Sequence, residues 1–313
     1  MKYRATIKGV GSYLPSKVVT NKQIEEQVDT TDEWIHNKLG IRERRVVEEE
    51  LPSDLGYNAA VRALQDANLL IEEIDAIIVA TSSPEQISPA TSCIIHNRFN
   101  TNKNIPAFDI NAVCSGFVYA VTIAGSFIES GMYKNVLVIA TEAYSKITNW
   151  KDQHSVFFGD GAGAVVIGKS EEGWLYSKLE ANGKETGMTG FKLPLSSPFI
   201  MRGKEVWDQA IKVLPISVQD VLKETNTSID EIKMLVPHQP SIHILKSIAK
   251  DLNLSMDKVK TVMHKYANIA GASIPVALDE AIKEGAIEEG DKILLTAIGS
   301  GWTWGTILLY YKK

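Results

Sequence analysis

The chain has only two cysteines, Cys93 and Cys114, among 313 residues. That is too few for a disulfide framework and points to a reducing, cytoplasmic compartment. No apolar run approaches the roughly 20 residues of a membrane span. The segment from Met1 to Gly11 carries Lys2, Arg4 and Lys8 and lacks the apolar centre of a secretion signal. Excess positive charge is missing too. The 33 Lys and Arg stand against 38 Asp and Glu, a net charge of −5, which recruits neither nucleic acid nor an anionic membrane. No cluster of His, Cys and carboxylates has metal-ligand spacing, so no metal is expected. Apolar residues make up 44%, which suits one large domain or two smaller ones and excludes a disordered chain.

Short apolar runs bounded by turn residues recur along the chain, at Ile77–Ala80, Val136–Ile139, Ala164–Ile167, Met234–Val236 and Ile293–Leu295. They read as strands buried on both faces. Amphipathic stretches such as Leu55–Asn68 and Val206–Thr225 lie between them and read as helices, so the architecture is layered α/β. Three elements also repeat. Ile74–Val79 matches Ile232–Val236, Lys134–Val138 matches Asp291–Leu295, and Gly116–Gly131 matches Gly271–Gly285, at offsets near 156. Two similar halves, 1–170 and 171–313, are the expectation; chance likeness between buried strands is the alternative. Glu180–Gly203, dense in Gly and Pro, reads as a long loop of the kind that carries function.

Several residues are candidates for chemistry. Cys114 stands where an apolar strand ends and a helical pattern begins. A thiol there would face the positive end of a helix dipole, which lowers its pKa toward neutrality and favours the thiolate. A buried structural cysteine is the alternative. Cys93, inside a helical stretch, reads as inert packing. His238 follows a buried strand, where α/β sites usually lie, or is a surface loop histidine. Asn268 precedes a small-residue run and is either a site residue or a helix N-cap. Phe158–Ala164 is glycine-rich but lacks the Lys-Ser/Thr of a P-loop and precedes a strand; it reads as a tight turn. The amides of Gly299–Gly305 are placed to hold an oxyanion.

These residues converge on a family. Gly9–Pro15, Thr31–Arg45, Cys114-Ser115-Gly116, Phe158–Ala164, Pro237-His238-Gln239, Asn268–Pro275 and Gly299–Gly305 together resemble 3-oxoacyl-acyl-carrier-protein synthase III, a thiolase-like condensing enzyme. The resemblance implies an αβαβα layered sandwich of two pseudo-duplicated halves, usually as a homodimer. It implies a catalytic triad of Cys114, His238 and Asn268, with the amides of Cys114 and Gly301 as oxyanion donors. Substrate and coenzyme A contacts would fall on Trp34, Lys38, Trp207 and Ile87, and carrier-protein docking on His243, Lys246 and Lys250. Acyl coenzyme A and a malonyl thioester, on acyl carrier protein or coenzyme A, would be substrates, with no resident cofactor.

The chain also departs from the pattern. Lys38 stands where an arginine is usual, and a point charge replaces a flat stacking group. Another usual arginine is missing around Lys151–His154, where the loop is one residue short. His243 replaces the carrier-docking arginine and is mostly uncharged at neutral pH. Ile87 lies where an aromatic residue often limits acyl length. These changes spare the chemistry and bear on the pathway, either fatty-acid initiation or a specialised route. Two other functions fit the residues less directly: acyl transfer from Cys114 to an alcohol or amine without decarboxylation, and a non-catalytic subunit of a heteromeric synthase.

Overall fold

The computed structural model describes residues 2–190 and 199–312. Its frame is two five-stranded sheets. In the first, the spatial order is Ala5–Tyr13, Asp160–Lys169, Asn135–Ala143, Ala76–Ala80, Ala107–Ile110. The second runs Lys2–Tyr3, Trp174–Ala181, Thr303–Tyr310, Lys292–Gly299, Ile232–Pro237.

The repetition seen in the sequence is a duplication of topology. With the strands of each half counted along the chain, both sheets have the order 1-5-4-2-3. In the second half the third position is a single bridge from Val259 to Leu235, and Lys2–Tyr3 adds an extra edge. The senses agree as well. Strand 2 is parallel to strands 3 and 4 in both halves, while strands 4–5 and 5–1 are antiparallel.

Helices fill equivalent crossovers. Pro52–Ala67 corresponds to Gly203–Glu224, Thr91–Arg98 to Ile242–Asp251, and Gly116–Glu129 to Ser273–Lys283. The last pair forms the middle layer of an αβαβα sandwich and touches strands of both sheets. Gly116–Glu129 is apolar on nearly every face, as a helix between two sheets must be. Phe117, Val118, Ala120, Val121 and Ala124 are all essentially inaccessible. Close approach sets the small residues. A Cβ at Gly163 would sit 2.7 Å from Pro275, and one at Gly305 would sit 3.1 Å from Val118.

Two helices begin three residues before the apolar pattern suggests. Pro52 opens the first, and the Asp54 carboxylate accepts the Leu51 amide at 2.7 Å. Such a first turn is set by capping rather than by hydrophobic spacing. The second starts with Gly203-Lys204-Glu205, a polar turn without periodicity. Cys93 is exposed rather than packed, because it faces outward on an eight-residue helix. Within the long loop, Thr189–Gly190 pairs with Ile200–Met201; its residues 191–198 lie outside the described ones. No helix among the described residues is long and apolar enough to cross a membrane.

Candidate active site

Cys114, His238 and Asn268 come together in one cavity of about 530 Å³. Cys114 lies in the turn between the third strand of the first half and its central helix. Asn268 occupies the equivalent turn of the second half, just before Ala270–Ala272 and the helix Ser273–Lys283. His238 follows the strand Ile232–Pro237, and its amide donates to the Thr296 carbonyl at 2.8 Å. Gln239 pins that turn: its Oε1 accepts the amides of Val262 and Met263, and its Nε2 donates to the carbonyls of Pro237 and Lys260.

The halves are stitched together at these turns. The Asn268 amide donates to the Phe157 carbonyl at 3.0 Å, and the Gly159 amide donates to the Asn268 carbonyl at 3.2 Å. This clamp accounts for Phe158-Gly159, since a Cβ at Gly159 would lie 2.5 Å from the Tyr266 carbonyl oxygen. Ser115 Oγ bonds Thr303 Oγ1 at 2.8 Å. At Gly299, a Cβ would meet Ala112 O at 2.6 Å and the Cys114 amide at 3.0 Å. The turn carrying Gly301 is thus pressed onto the backbone of the Cys114 turn, and Gly301 lines the cavity together with Cys114.

Backbone strain marks the same place. Val113, Ala267 and Ala270 have φ of 50°, 56° and 41°. Such values are costly for residues with a Cβ, most of all a β-branched one. The other non-glycine residues of this kind among those described are all asparagines, which tolerate the conformation.

Electrostatics correct one expectation from the sequence. Burial pushes the Cys114 thiol up to about 12, and the nearby Glu142 carboxylate adds to the effect. The helix end does not offset that desolvation, so the resting group is a thiol rather than a thiolate. Burial likewise pushes His238 down to about 4, and the imidazole is neutral. The Ala270 carbonyl stands near enough to favour its charged form, though Nδ1 meets no partner in good geometry. The Asn268 Oδ1 accepts the Ala270 amide at 2.8 Å. This is a turn bond rather than a helix cap, and it leaves the NH2 group to serve the cavity. A pH consequence follows. With the exposed Cys93 replaced by serine, alkylation of Cys114 by iodoacetamide, followed by intact mass, is expected to keep accelerating above pH 9. A plateau below pH 8 would show a thiolate at rest.

The other anticipated contacts separate. Trp207 lines the main cavity, and Trp34, 46% exposed, lines a second recess at its mouth together with His154 and Phe157. Lys38 is exposed on the helix Asp32–Leu39. His243, Lys246 and Lys250 share the exposed face of the helix Ile242–Asp251. His243 Nε2 meets the Asn37 carbonyl at 2.8 Å, which joins this face to the one bearing Lys38. Ile87 is 90% exposed and does not line the cavity of its own chain. It sits on an irregular segment held by Glu85, whose carboxylate accepts the Ser53 amide and hydroxyl at 2.9 Å.

Sequence reasoning missed part of the site. Ser82, Tyr144, Phe157 and Phe158 line the cavity, and Tyr144 stacks on Phe158 with ring centroids 4.8 Å apart. Glu142, fully buried in the strand Asn135–Ala143, lies behind them. A carboxyl side chain inside a strand buried along nearly its whole length was the available signal.

Duplicated halves around two buried helices, with cysteine, histidine and asparagine meeting where the halves join, define a thiolase-like condensing enzyme. Family models agree. Residues 108–183 match the model of 3-oxoacyl-[acyl-carrier-protein] synthase III, and residues 222–311 match its C-terminal model. The chain is 43% identical to beta-ketoacyl-[acyl-carrier-protein] synthase III of Clostridium acetobutylicum, over 97% of this chain and 98% of that one. The crystal structure of 3-oxoacyl-[acyl-carrier-protein] synthase III from Aquifex aeolicus superposes with a TM-score of 0.95 at 42% identity, covering 98% and 100%. The priming beta-ketosynthase of the R1128 polyketide pathway is similar too, at 30% identity and a TM-score of 0.93, covering 99% and 97%. The chain belongs to the 3-oxoacyl-[acyl-carrier-protein] synthase III family.

Proposed function

We propose that the protein condenses an acyl group, carried on Cys114, with a malonyl thioester, releasing carbon dioxide. The observation that carries the reading is the convergence of Cys114, His238 and Asn268 in one cavity. First, the Cys114 sulfur attacks the carbonyl of an acyl thioester. The acyl–sulfur bond to coenzyme A breaks, and the thiol proton leaves with it as free coenzyme A. The malonyl thioester then loses carbon dioxide, which leaves an enolate. Neutral His238 and the Asn268 amide are donors aimed at the thioester oxygen as that charge develops. The enolate carbon attacks the acyl-Cys114 carbonyl, the carbon–sulfur bond breaks, and the cysteine recovers a proton. The amides of Cys114 and Gly301 serve the tetrahedral oxyanions. Decarboxylation itself makes the nucleophile, so the cycle as written needs no strong base and no resident cofactor. A site of about 530 Å³ is of the size that holds a drug-sized ligand.

The donor arrives as acyl coenzyme A past Trp34, Lys38 and Trp207. The malonyl group arrives on a carrier protein docked at His243, Lys246 and Lys250, in a cytoplasmic setting. Intact-mass analysis after incubation with a panel of acyl coenzyme A thioesters tests the reading, since the mass added to Cys114 names the donor. Failure of every donor to add mass would end it.

Docking gives a quantitative expectation. His243→Arg should tighten binding of malonyl acyl carrier protein about three- to tenfold at low salt. Added salt should erase the gain, because exposed charges are screened over about 10 Å at 0.1 M. Equal affinities at low salt would remove this position from the docking face.

The fold supports a homodimer. The strand Ala107–Ile110 is an edge of the first sheet, and Leu51 and Ile87 are exposed apolar residues near the start of neighbouring helices. In that assembly Ile87 closes the far end of the partner's acyl tunnel. An isoleucine is smaller than a ring, and each methylene it admits contributes about 0.8 kcal/mol. Donors longer or bulkier than acetyl should therefore acylate Cys114 faster, and Ile87→Phe should reverse the order. A native preference for acetyl across a thioester series would overturn this.

A further inference from the structure

Glu142 has no part in the cycle above, yet it is a fully buried carboxylate behind the nucleophile. Four donors converge on it. The Ser82 amide approaches both oxygens at 3.2 Å, Ser82 Oγ donates to Oε1 at 2.9 Å, and Ser83 Oγ donates to Oε2 at 2.5 Å. Ser83 Oγ in turn accepts the Ala143 amide at 2.9 Å, so its proton is committed to Glu142. The fourth is the Gly271 amide, which lies against the carboxylate without a bond as well formed as the other three. Glu142 Oε1 lies 3.6 Å from where a Gly271 Cβ would stand, and Val113 O lies 3.1 Å from the same point.

That fourth contact points toward the triad. The N–H of Gly271 and the C=O of Ala270 are the two ends of one peptide. Its amide end lies against Glu142, and its carbonyl end lies near the His238 ring without a well-formed bond to Nδ1. The amide one residue earlier, on Ala270, holds the Asn268 Oδ1. Glu142 belongs to the first half and packs against the short segment of the second half that holds the Asn268 Oδ1 and borders His238. The strained φ at Ala270 shows that this segment does not take its shape unaided.

We propose that Glu142 is a positioning residue for decarboxylation, holding His238 and Asn268 in register through the Ala270–Gly271 peptide. The inference rests on the function proposed above. It has a second consequence, because the titratable groups that face this carboxylate are Cys114 and Tyr144. Burial pushes Glu142 itself up to about 7, so its charge is mostly present at pH 8; there it opposes a thiolate at Cys114, and its removal should make that cysteine more reactive even as turnover falls.

Two variants test this, Glu142→Gln, which removes the charge, and Glu142→Asp, which keeps the charge but withdraws it by one methylene. Both should lower malonyl decarboxylation at least about tenfold with little change in malonyl KM, since small misplacements of catalytic groups are costly. Both should still acylate Cys114 within about threefold of native. With the exposed Cys93 replaced by serine, iodoacetamide should label Cys114 several-fold faster at pH 8 in Glu142→Gln, and at the native rate in Glu142→Asp. The labelling arm uses no substrate, so its failure is distinct from failure of the condensation reading. Decarboxylation near the native rate in both variants would overturn the proposal. So would parallel loss of acylation, decarboxylation and thermal stability, which marks a merely structural carboxylate. If Glu142→Gln does not fold, the split between acylation and decarboxylation in Glu142→Asp decides.

Discussion

Cys114→Ser is expected to abolish acyl-enzyme formation, with a rate loss of about 10³-fold or more. A hydroxyl in place of the thiol preserves the shape of the turn, but it holds its proton far more tightly than even a thiol pushed up to about 12, and His238, in the same cavity, is pushed down to about 4 by burial. An imidazole that weakly basic does not activate serine. The measurement is intact mass after incubation with the preferred acyl coenzyme A thioester. Acylation of the serine variant at a rate comparable to native would remove Cys114 from the nucleophile's role. The variant should remain folded, because the strain at Val113 and the bond from Ser115 to Thr303 do not involve the sulfur.

His238→Ala and Asn268→Ala should divide the reaction. Each removes one donor from the enolate, an effect worth about 10²- to 10³-fold per donor. Carbon dioxide release from the malonyl thioester should fall by that amount in each single variant. Acylation of Cys114 should fall much less, because its oxyanion is served by backbone amides. Release of carbon dioxide at the native rate in either variant would show that the residue is not a donor to the enolate. Because His238 is already neutral above about pH 5, the decarboxylation step should show no inflection from it between pH 5 and 7, which separates it from an ordinary titrating histidine.

What was legible beforehand follows from where the signals lie. The buried strands were visible because runs such as Ile77–Ala80 are apolar on both faces, and their repetition exposed the duplicated order of the sheets. Cys114 and His238 were visible as single residues at strand ends and Asn268 as one before a run of small residues, and only the family pattern joined them. Their meeting depends on contacts between residues more than 100 positions apart, such as Gly159 to Asn268, and no local pattern encodes those. The charge state of Cys114 was misjudged for a related reason. The dipole argument used the helix that follows, whereas burial and a carboxylate from a different strand decide the outcome. Glu142 itself passed unnoticed because a strand is read by its apolar residues, and the one ionisable member of the run was the informative one.

The duplicated topology bears on how such a site can arise. In an assembly of two identical halves, the turn after the third strand would carry the same residue in both copies, and so would the turn after the second. Here those paired positions have diverged. One third-strand turn presents Cys114 and the other Asn268. One second-strand turn presents Thr81–Ser83 and the other His238. A cysteine facing a histidine and an asparagine is an asymmetric arrangement that symmetry forbids to identical copies. Fusion into a single gene lifts that constraint, because each copy of a turn is then free to drift toward its own role while the surrounding strands keep their inherited order.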